Sequence, residues 1–230
     1  MRRTREEALE TRNQILDTAE RVFSAKGVSR TSLADVADAA GVTRGAIYWH
    51  FKNKADVFQA MIERVVLPME DMVRAAADES AEDPLERIRA ACVYVLKKTA
   101  EDRRVRRVLE IAFFKCEIDD DIKQLAGRQM DCRTEGMEMF QKALRNAIRR
   151  GQLAKTVDVR KATIGLMALI DGLLYNWLLK PDMFPLARDA ESFVGMYLAG
   201  LERLPQIRQT RRSMIGRRLA STAEGRTVRS

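Results

Sequence analysis

The stretch RTSLADVADAAGVTRGAIYWHFKNK, residues 30–54, decides how this chain folds. Thr31 and Ser32 can cap the start of a short helix, and Asp35 follows Ser32 at the spacing of a capping box. Gly41 supplies the turn after this helix, because glycine enters a left-handed backbone conformation without a steric penalty. The apolar residues between cap and turn recur with the period of one helical face, at Leu33, Val36, Ala37 and Ala40.

A second short helix is predicted after this turn. Val42 returns to the core, and Thr43 can cap a helix that covers residues 44–50. Two short helices joined by a glycine turn are typical of a helix-turn-helix, whose second helix enters the major groove of DNA. An earlier helix, ended by Gly27, completes a three-helix unit through an apolar stripe of Ile15, Leu16, Ala19, Val22 and Phe23.

The outward side of the second helix carries one fixed charge and three flat groups, on Arg44, Tyr48, Trp49 and His50. Gly45 lets a sugar-phosphate strand approach closely, because it has no side chain to hold the strand away. The alternative is a core cluster of aromatic residues with a solvated charged face. That alternative suits Ile47 and Phe51, whereas an arginine set among outward aromatic groups favours DNA.

The helix that follows this three-helix unit is predicted to begin after Asn53. Lys54 then lies at the positive end of the helix dipole, a locally unfavourable place for a cation. A bound phosphate would remove this conflict, because helix N-termini and lysine both bind phosphate. Helical spacing continues to a predicted kink at Pro68 and resumes beyond it, so a stiff rod connects this unit to the rest of the chain.

The segment GVTRGAIYWHFKNK, preceded by TSLADVADAAG, closely resembles the DNA-binding domain of the TetR family of transcriptional repressors. Within that family it is most similar to the AcrR/TtgR-like branch, which controls multidrug efflux genes. The similarity runs without a gap over about residues 10–60 and continues more weakly through EIAFFKCE (110–117) and DGLLYNWLLKP (171–181).

The resemblance implies an all-α fold of about nine helices, with a three-helix DNA-binding head and a helical body that binds ligand and dimerises. We assign residues 1–54 to the head, 55–205 to the body and 206–230 to a basic, disordered tail. In this family the last two helices of each subunit form a four-helix dimer interface. Two-fold symmetry would place two recognition helices about 34–36 Å apart, so the operator should be nearly palindromic.

Among the candidate DNA-binding residues, Arg44 is expected to read base edges, with Tyr48 and Gly45 beside it. The remaining candidates would mostly anchor phosphates, and they are Thr31, Thr43, Trp49, His50 and Lys54.

By similarity, the body holds an apolar pocket for a small hydrophobic or aromatic effector that releases the repressor from DNA. Its candidate lining residues are Leu96, Leu109, Phe113, Phe114, Met130, Met167, Ile170, Asp171, Leu174 and Tyr175. Relatives often carry polar side chains just before KCE, where this chain has Leu109, Phe113 and Phe114. The pocket is therefore expected to be more apolar here, with a different set of ligands.

The net charge of +8 is concentrated at the two ends of the chain. Residues 1–54 hold 10 Lys/Arg against 7 Asp/Glu, and residues 206–230 hold 7 Arg against Glu224 alone. The nearly neutral middle fits a protein interior or a ligand site better than a nucleic-acid surface. For the basic tail, non-specific attraction to DNA is the alternative to an unstructured extension. The arginine run at residues 103–107 is interpreted as a solvated face.

Three cysteines, Cys92, Cys116 and Cys132, lack CxxC spacing, and we expect free thiols in the cytoplasm. A redox sensor is the alternative to small buried hydrophobic residues. With one histidine in the chain, neither a zinc site nor a histidine-based triad is expected, and no cofactor is predicted.

Residues 162–179, ATIGLMALIDGLLYNWLL, approach the length of a membrane span. A central Asp171 costs about 2.5–3.5 kcal/mol on insertion scales, and Asn176 adds to this cost, so a buried helix is predicted. A carboxylate in so apolar a helix needs a partner or a ligand.

Three other functions are alternatives to a ligand-released repressor. An enzyme could use Asp171 with Glu110 or Glu117, but nothing supplies a nucleophile, a metal set or a phosphate loop. An architectural DNA binder would have no use for the long apolar body. A TetR-type repressor or activator of metabolic genes, with a different effector, remains open.

Overall fold

The computed structural model describes residues 5–115 and 120–203, and within residues 120–132 only the backbone. The described residues form nine α-helices and no strand, which confirms the predicted all-α fold. The helices are α1 Arg5–Lys26, α2 Leu33–Ala40, α3 Arg44–His50, α4 Lys54–Ala77, α5 Pro84–Glu101, α6 Arg103–Phe114, α7 Asp120–Arg149, α8 Val159–Leu179 and α9 Leu186–Glu202. A short 3-10 helix, Pro181–Met183, separates α8 from α9. The tail assigned to residues 206–230 lies outside the described residues.

The head consists of α1, α2, α3 and the first half of α4. Its local signals work as the sequence predicts: Ser32 and Asp35 form a complete capping box, and Gly41 has a φ of 65°. The five bulkiest fully buried side chains of the head are Ile15, Leu16, Phe23, Ile47 and Phe58. Its core does not end at residue 54, because Val57, Phe58 and Met61 of α4 belong to it.

The body packs α5, α7, α8, α9 and the second half of α4 around one core. Helix α4 continues through Pro68 and ends at Ala77, so the loop before α5 is shorter than the polar composition suggests. Asn146 of α7 is buried and explains this ending. Its Nδ2 donates to the carbonyls of Ala76 (3.2 Å) and Asp78 (2.8 Å), which supplies partners for the last carbonyls of the helix.

Helix α6 is shared between the two cores. Val108 and Ile111 are buried in the head core, whereas Leu109 lies in the body core. Three residues within about one turn of α6 thus face two different units, which the 3.6-residue period of a helix permits. Because α6 contacts both units, any displacement between head and body has to move it or break its contacts.

The arginine run at the start of α6 is not the solvated face that the sequence suggested. Arg104 pairs with Asp17 and Glu20 of α1. Arg106 places its guanidinium carbon 4.6 Å from the ring centroid of Trp177 and donates to the carbonyl of Ala100. These partners lie 6 to 87 residues away in sequence, so no local pattern announces them.

Helix α8 is less buried than predicted. By length and composition alone it could cross a membrane, and only a third of its most apolar window is buried inside the chain. Its buried residues include Leu166, Leu174 and Trp177, while Ile164 and Leu179 are exposed. In α9 the face that packs against α5 is buried, and Met196 on another face is 64% exposed.

Candidate DNA-binding surface and effector region

Helix α3 is held to the head from one side only. The Thr43 hydroxyl accepts from the Ala46 amide (3.1 Å) and caps the first turn. Ile47 is fully buried, and Phe51, which follows the helix, is nearly so. The guanidinium of Arg12 lies 5.2 Å from the Phe51 ring centroid and covers its outer side.

The opposite side of α3 presents the predicted DNA-reading residues to solvent. Arg44 and Gly45 are exposed, Tyr48 is 58% exposed and Trp49 is 73% exposed. His50 is half-buried and meets the Trp49 ring edge-on, with 4.5 Å between ring centroids. Such large exposed aromatic surfaces are typical of a binding site rather than of an inert protein surface.

A groove runs along this surface between the starts of α2 and α4. Both helix N-termini border it, with Ser32 capping α2 and Asn53 capping α4. Backbone N–H groups at helix N-termini favour anions, so the groove suits a phosphate backbone. Three predicted DNA-binding residues, Thr31, Tyr48 and Lys54, line this groove. Its other polar lining residues include several that the sequence did not mark as DNA contacts, although the two cap motifs lie among them: Ser29, Arg30, Ser32, Lys52 and Asn53.

Two candidate phosphate anchors have partners within the chain. Thr31 is buried, and its hydroxyl donates to the Gly27 carbonyl (2.7 Å), so this side chain holds the α1–α2 turn. Lys54 donates through Nζ to the Ser29 carbonyl (3.1 Å) across the groove. The unfavourable position of Lys54 at a helix N-terminus is thereby relieved inside the chain as well.

In the body, three of the candidate effector residues form an aromatic cluster between α6 and α8. The Tyr175 ring centroid lies 6.2 Å from that of Phe113 and 5.2 Å from that of Phe114. Phe114 and Tyr175 are both partly exposed. The cluster therefore offers flat apolar surface next to α6, the helix that also contacts the head.

The other candidate effector residues divide by burial. Leu96, Leu109 and Leu174 are buried in the body core, and Met167 and Ile170 are half-buried. The side chain of Met130 lies outside the described residues. Asp171 has the partner that its apolar helix demands, because Arg133 of α7 forms an ion pair with it.

Cys92 is buried, and burial raises the pKa of its thiol to about 12. It is therefore a neutral, apolar core residue at physiological pH, which argues against a redox role for it. The side chains of Cys116 and Cys132 lie outside the described residues. Within the part of the chain that the structure describes, no three His, Cys, Asp or Glu side chains are grouped to hold a metal ion.

A capped recognition helix with an exposed aromatic face, set between two helix N-termini, defines a helix-turn-helix DNA-binding protein. Residues 15–61 match the family model of bacterial regulatory proteins of the tetR family, and residues 83–203 match the C-terminal region of MAATS-type transcriptional repressors. The chain belongs to the TetR family, and it is a transcriptional repressor rather than an enzyme.

Similar proteins place it near repressors of multidrug efflux. The transcriptional regulator TtgR of Pseudomonas putida is 42% identical over 209 residues, which cover 91% of this chain and all of TtgR. NalD, the secondary repressor of the MexAB-OprM multidrug efflux pump in Pseudomonas aeruginosa, is 34% identical, with a TM-score of 0.74 over 86% of this chain and 99% of NalD. SmeT in complex with triclosan is 34% identical, with a TM-score of 0.76 over 83% of this chain and 91% of SmeT.

Proposed function

We propose that this protein represses a multidrug efflux operon by binding a palindromic operator as a cytoplasmic homodimer, and that small hydrophobic or aromatic effectors release it. The observation that carries the proposal is the exposed face of α3, with Arg44, Tyr48 and Trp49 next to a groove formed by two helix N-termini. The efflux assignment is supported by the similarity to NalD, which represses an efflux pump.

On DNA, the residues of this surface divide by what they can contact. Arg44 and Tyr48 read base edges from α3, with Gly45 allowing close approach. Thr43, Trp49, His50 and Lys54 anchor phosphates, together with Lys52 and the positive end of the α4 helix dipole. Thr31 supports the surface from beneath, because its hydroxyl is bonded to Gly27.

In the body, the aromatic cluster of Phe113, Phe114 and Tyr175 is the proposed contact for a flat effector. The complex of the related SmeT with triclosan, an aromatic compound, supports this class of ligand. Asp171 and Arg133 provide a polar pair one helical turn from Tyr175. An effector that favours a different placement of α6 needs only about 1–3 kcal/mol of coupling to shift the head.

For the dimer, the exposed apolar residues of α8 and α9 are the proposed interface. Ile164 and Leu179 of α8 and Met196 of α9 are apolar side chains that one chain leaves exposed. A second copy of the chain that covers them would bury the exposed face of α8. We therefore propose that a partner subunit, and not a lipid membrane, contacts this face.

Selection of binding sequences from a pool of randomised duplexes, followed by effector titration, tests the proposal. We expect a nearly palindromic sequence, and we expect triclosan or a planar aromatic dye to release the protein from that duplex. Release by metabolites such as acyl thioesters, with no response to aromatic drugs and dyes, would reassign the protein to metabolic regulation. Failure to select any sequence at low ionic strength would overturn the proposal.

A further inference from the structure

Arg104, in the first turn of α6, connects the body to the first helix of the head. Its Nε donates to Glu20 Oε1 at 2.9 Å, and its Nη2 pairs with Asp17. Glu20 is buried, with 3% of the residue exposed, and that burial raises its pKa, while Arg104 acts in the opposite direction. A buried carboxylate is stable in its charged form only when a cation is held close to it in good geometry, so Glu20 constrains the position of Arg104.

A third helix joins the same cluster. Arg64 of α4 donates through Nη2 to the same Asp17 oxygen, at 2.8 Å. Its other terminal nitrogen, Nη1, is buried and has no hydrogen-bond partner among the described residues. Asp17, Glu20, Arg64 and Arg104 thus tie α1, α4 and α6 together with balanced charge, and one donor in the group is left without an acceptor.

The other end of α6 is attached to α1 as well. The Lys115 carbonyl accepts from the Val28 amide (3.1 Å), and the Lys115 ammonium donates to the Ser24 carbonyl. Between the two attachments, Val108 and Ile111 are buried in the head core. Helix α6 is therefore fixed to α1 at both ends, and Arg104 is the member of this attachment whose contacts are ionic.

We propose that Arg104 is a positioning residue that holds the DNA-binding head at a fixed angle to the body, and thereby sets the half-site spacing that the protein accepts. The inference rests on the proposed function, because the spacing arises only when two heads act in one dimer. The ion pairs orient α1 without touching α3. Their loss should leave each head able to bind DNA and remove the fixed relation between the two heads.

The alternative is that the cluster only stabilises the fold. A stabilising role would lower the affinity for every duplex by the same factor, since it would reduce the fraction of folded protein. A positioning role changes the ratio between duplexes that differ only in half-site spacing. This ratio is therefore the measurement that separates the two.

The experiment compares binding to three duplexes derived from the sequence that the wild-type protein selects. The first is the selected operator, the second has one base pair inserted at its centre, and the third keeps one half-site and scrambles the other. The variants are Arg104→Gln, Glu20→Gln and the double variant. Arg103→Gln is the matched control, since it removes the same charge from the same turn, and Arg103 is exposed without an ion pair in the described structure.

We expect Arg104→Gln to lower the preference for the selected operator over the inserted one by about five- to tenfold, at the low end of the range for coupled sites. Arg104→Gln should bind the half-site duplex as tightly as the wild-type protein does. The control variant, Arg103→Gln, should bind all three duplexes at the wild-type level. Glu20→Gln leaves the pair between Arg104 and Asp17 in place, so it should give a smaller loss than Arg104→Gln. The double variant should give the same loss as Arg104→Gln, because both lack every ion pair that Arg104 forms.

An unchanged preference in Arg104→Gln, with the wild-type protein preferring its own spacing, would overturn the inference and leave the proposed function standing. An equal loss on all three duplexes, accompanied by a lower melting temperature, would also overturn it. If the wild-type protein shows no preference for a palindrome, the proposed function itself fails.

Discussion

Arg44 and Lys54 are both cations at the proposed DNA surface, but their surroundings differ. Lys54 Nζ donates to the Ser29 carbonyl, whereas the Arg44 side chain is exposed and has no ion pair among the described residues. Arg44 lies at the start of α3, the helix that would enter the groove, and Lys54 lies at the start of α4. Different losses are therefore expected when each is removed.

Arg44→Ala should relax sequence preference, with a loss of about 1–3 kcal/mol in discrimination at one base position. Lys54→Ala should weaken binding to all duplexes alike and reduce the slope of log K against log salt by about 1. Binding isotherms on matched and mismatched duplexes, recorded at several salt concentrations, measure both the discrimination and the salt slope. Lys52→Ala, in the same groove, is the control for a lost phosphate contact. Equal losses from Arg44→Ala and Lys54→Ala on every sequence would contradict this division.

At the scale of single residues, the sequence predicts what local chemistry decides. Ser32, Thr43 and Asn53 cap α2, α3 and α4 as the sequence predicts, because capping depends on residues only three positions away. The roles of Thr31 and Arg104 could not be predicted in this way. Thr31 bonds a carbonyl in the preceding turn, and the partners of Arg104 lie more than 80 residues earlier in the chain.

Among the elements, α2 shows how strongly one motif can fix a short helix. The Asp35 amide donates to Ser32 Oγ, and the Ser32 amide donates to Asp35 Oδ2 at 2.8 Å. These bonds from Ser32, with the Lys26 ammonium beside them, lower the pKa of Asp35 from 3.8 to about 2. Because the folded pKa lies below the ordinary value, the ionised carboxylate stabilises the folded protein above pH 3.8, and this stabilisation is lost as the pH falls towards 2.

Asp35→Asn should therefore lower the free energy of unfolding near neutral pH, and its difference from the wild type should shrink as the pH falls below 3.8. Urea unfolding between pH 6 and pH 3 measures this difference. Asp38→Asn, on the same helix, is the control, since its carboxylate makes no hydrogen bond in the described structure. A gap between Asp35→Asn and the wild type that stays constant over this range would contradict the assigned role.

Helix boundaries were predictable where caps and breakers mark them, and faces were predictable only where one core decides them. Apolar spacing predicts that α6 has buried residues, but it cannot tell that Val108 serves the head and Leu109 the body. Similarly, the apolar composition of α8 predicted a buried helix, whereas one chain covers only part of it. Composition reports how apolar a face is, and tertiary and quaternary packing decide which partner covers it.

For the whole molecule, α4 and α6 connect the two units in different ways. Helix α4 contributes its first half to the head core and Val73, Ala76 and Ala77 to the body core, so it joins them covalently as one rod. Helix α6 follows α5 of the body directly along the chain, and it contacts the head through its side chains and through the Lys115 carbonyl at its end. A change in the body can reach α3 through either helix, but only α6 carries residues of the proposed effector contact.

The proposed dimer depends on apolar residues that one chain leaves uncovered. Met196 of α9 is 64% exposed, while the face of α9 that includes Val194 and Leu198 packs within the chain. Glu191 of the same helix points towards α5, because its carboxylate pairs with the Lys97 ammonium of α5 at 3.0 Å. Glu202, eleven residues after Glu191, shares that side, since eleven residues make about three helical turns.

Met196→Glu should separate the dimer and leave the monomer folded, because it would bury an unpaired charge in the interface but reaches solvent in a single chain. Sedimentation equilibrium should show a dissociation constant raised by about 100-fold or more, and binding to the two-half-site operator should fall further than binding to a half-site. Glu202→Lys, which alters charge on the side of α9 that faces α5, should leave the dimer intact. A Met196→Glu protein that sediments as a dimer at the wild-type concentration would place the interface elsewhere on the molecule.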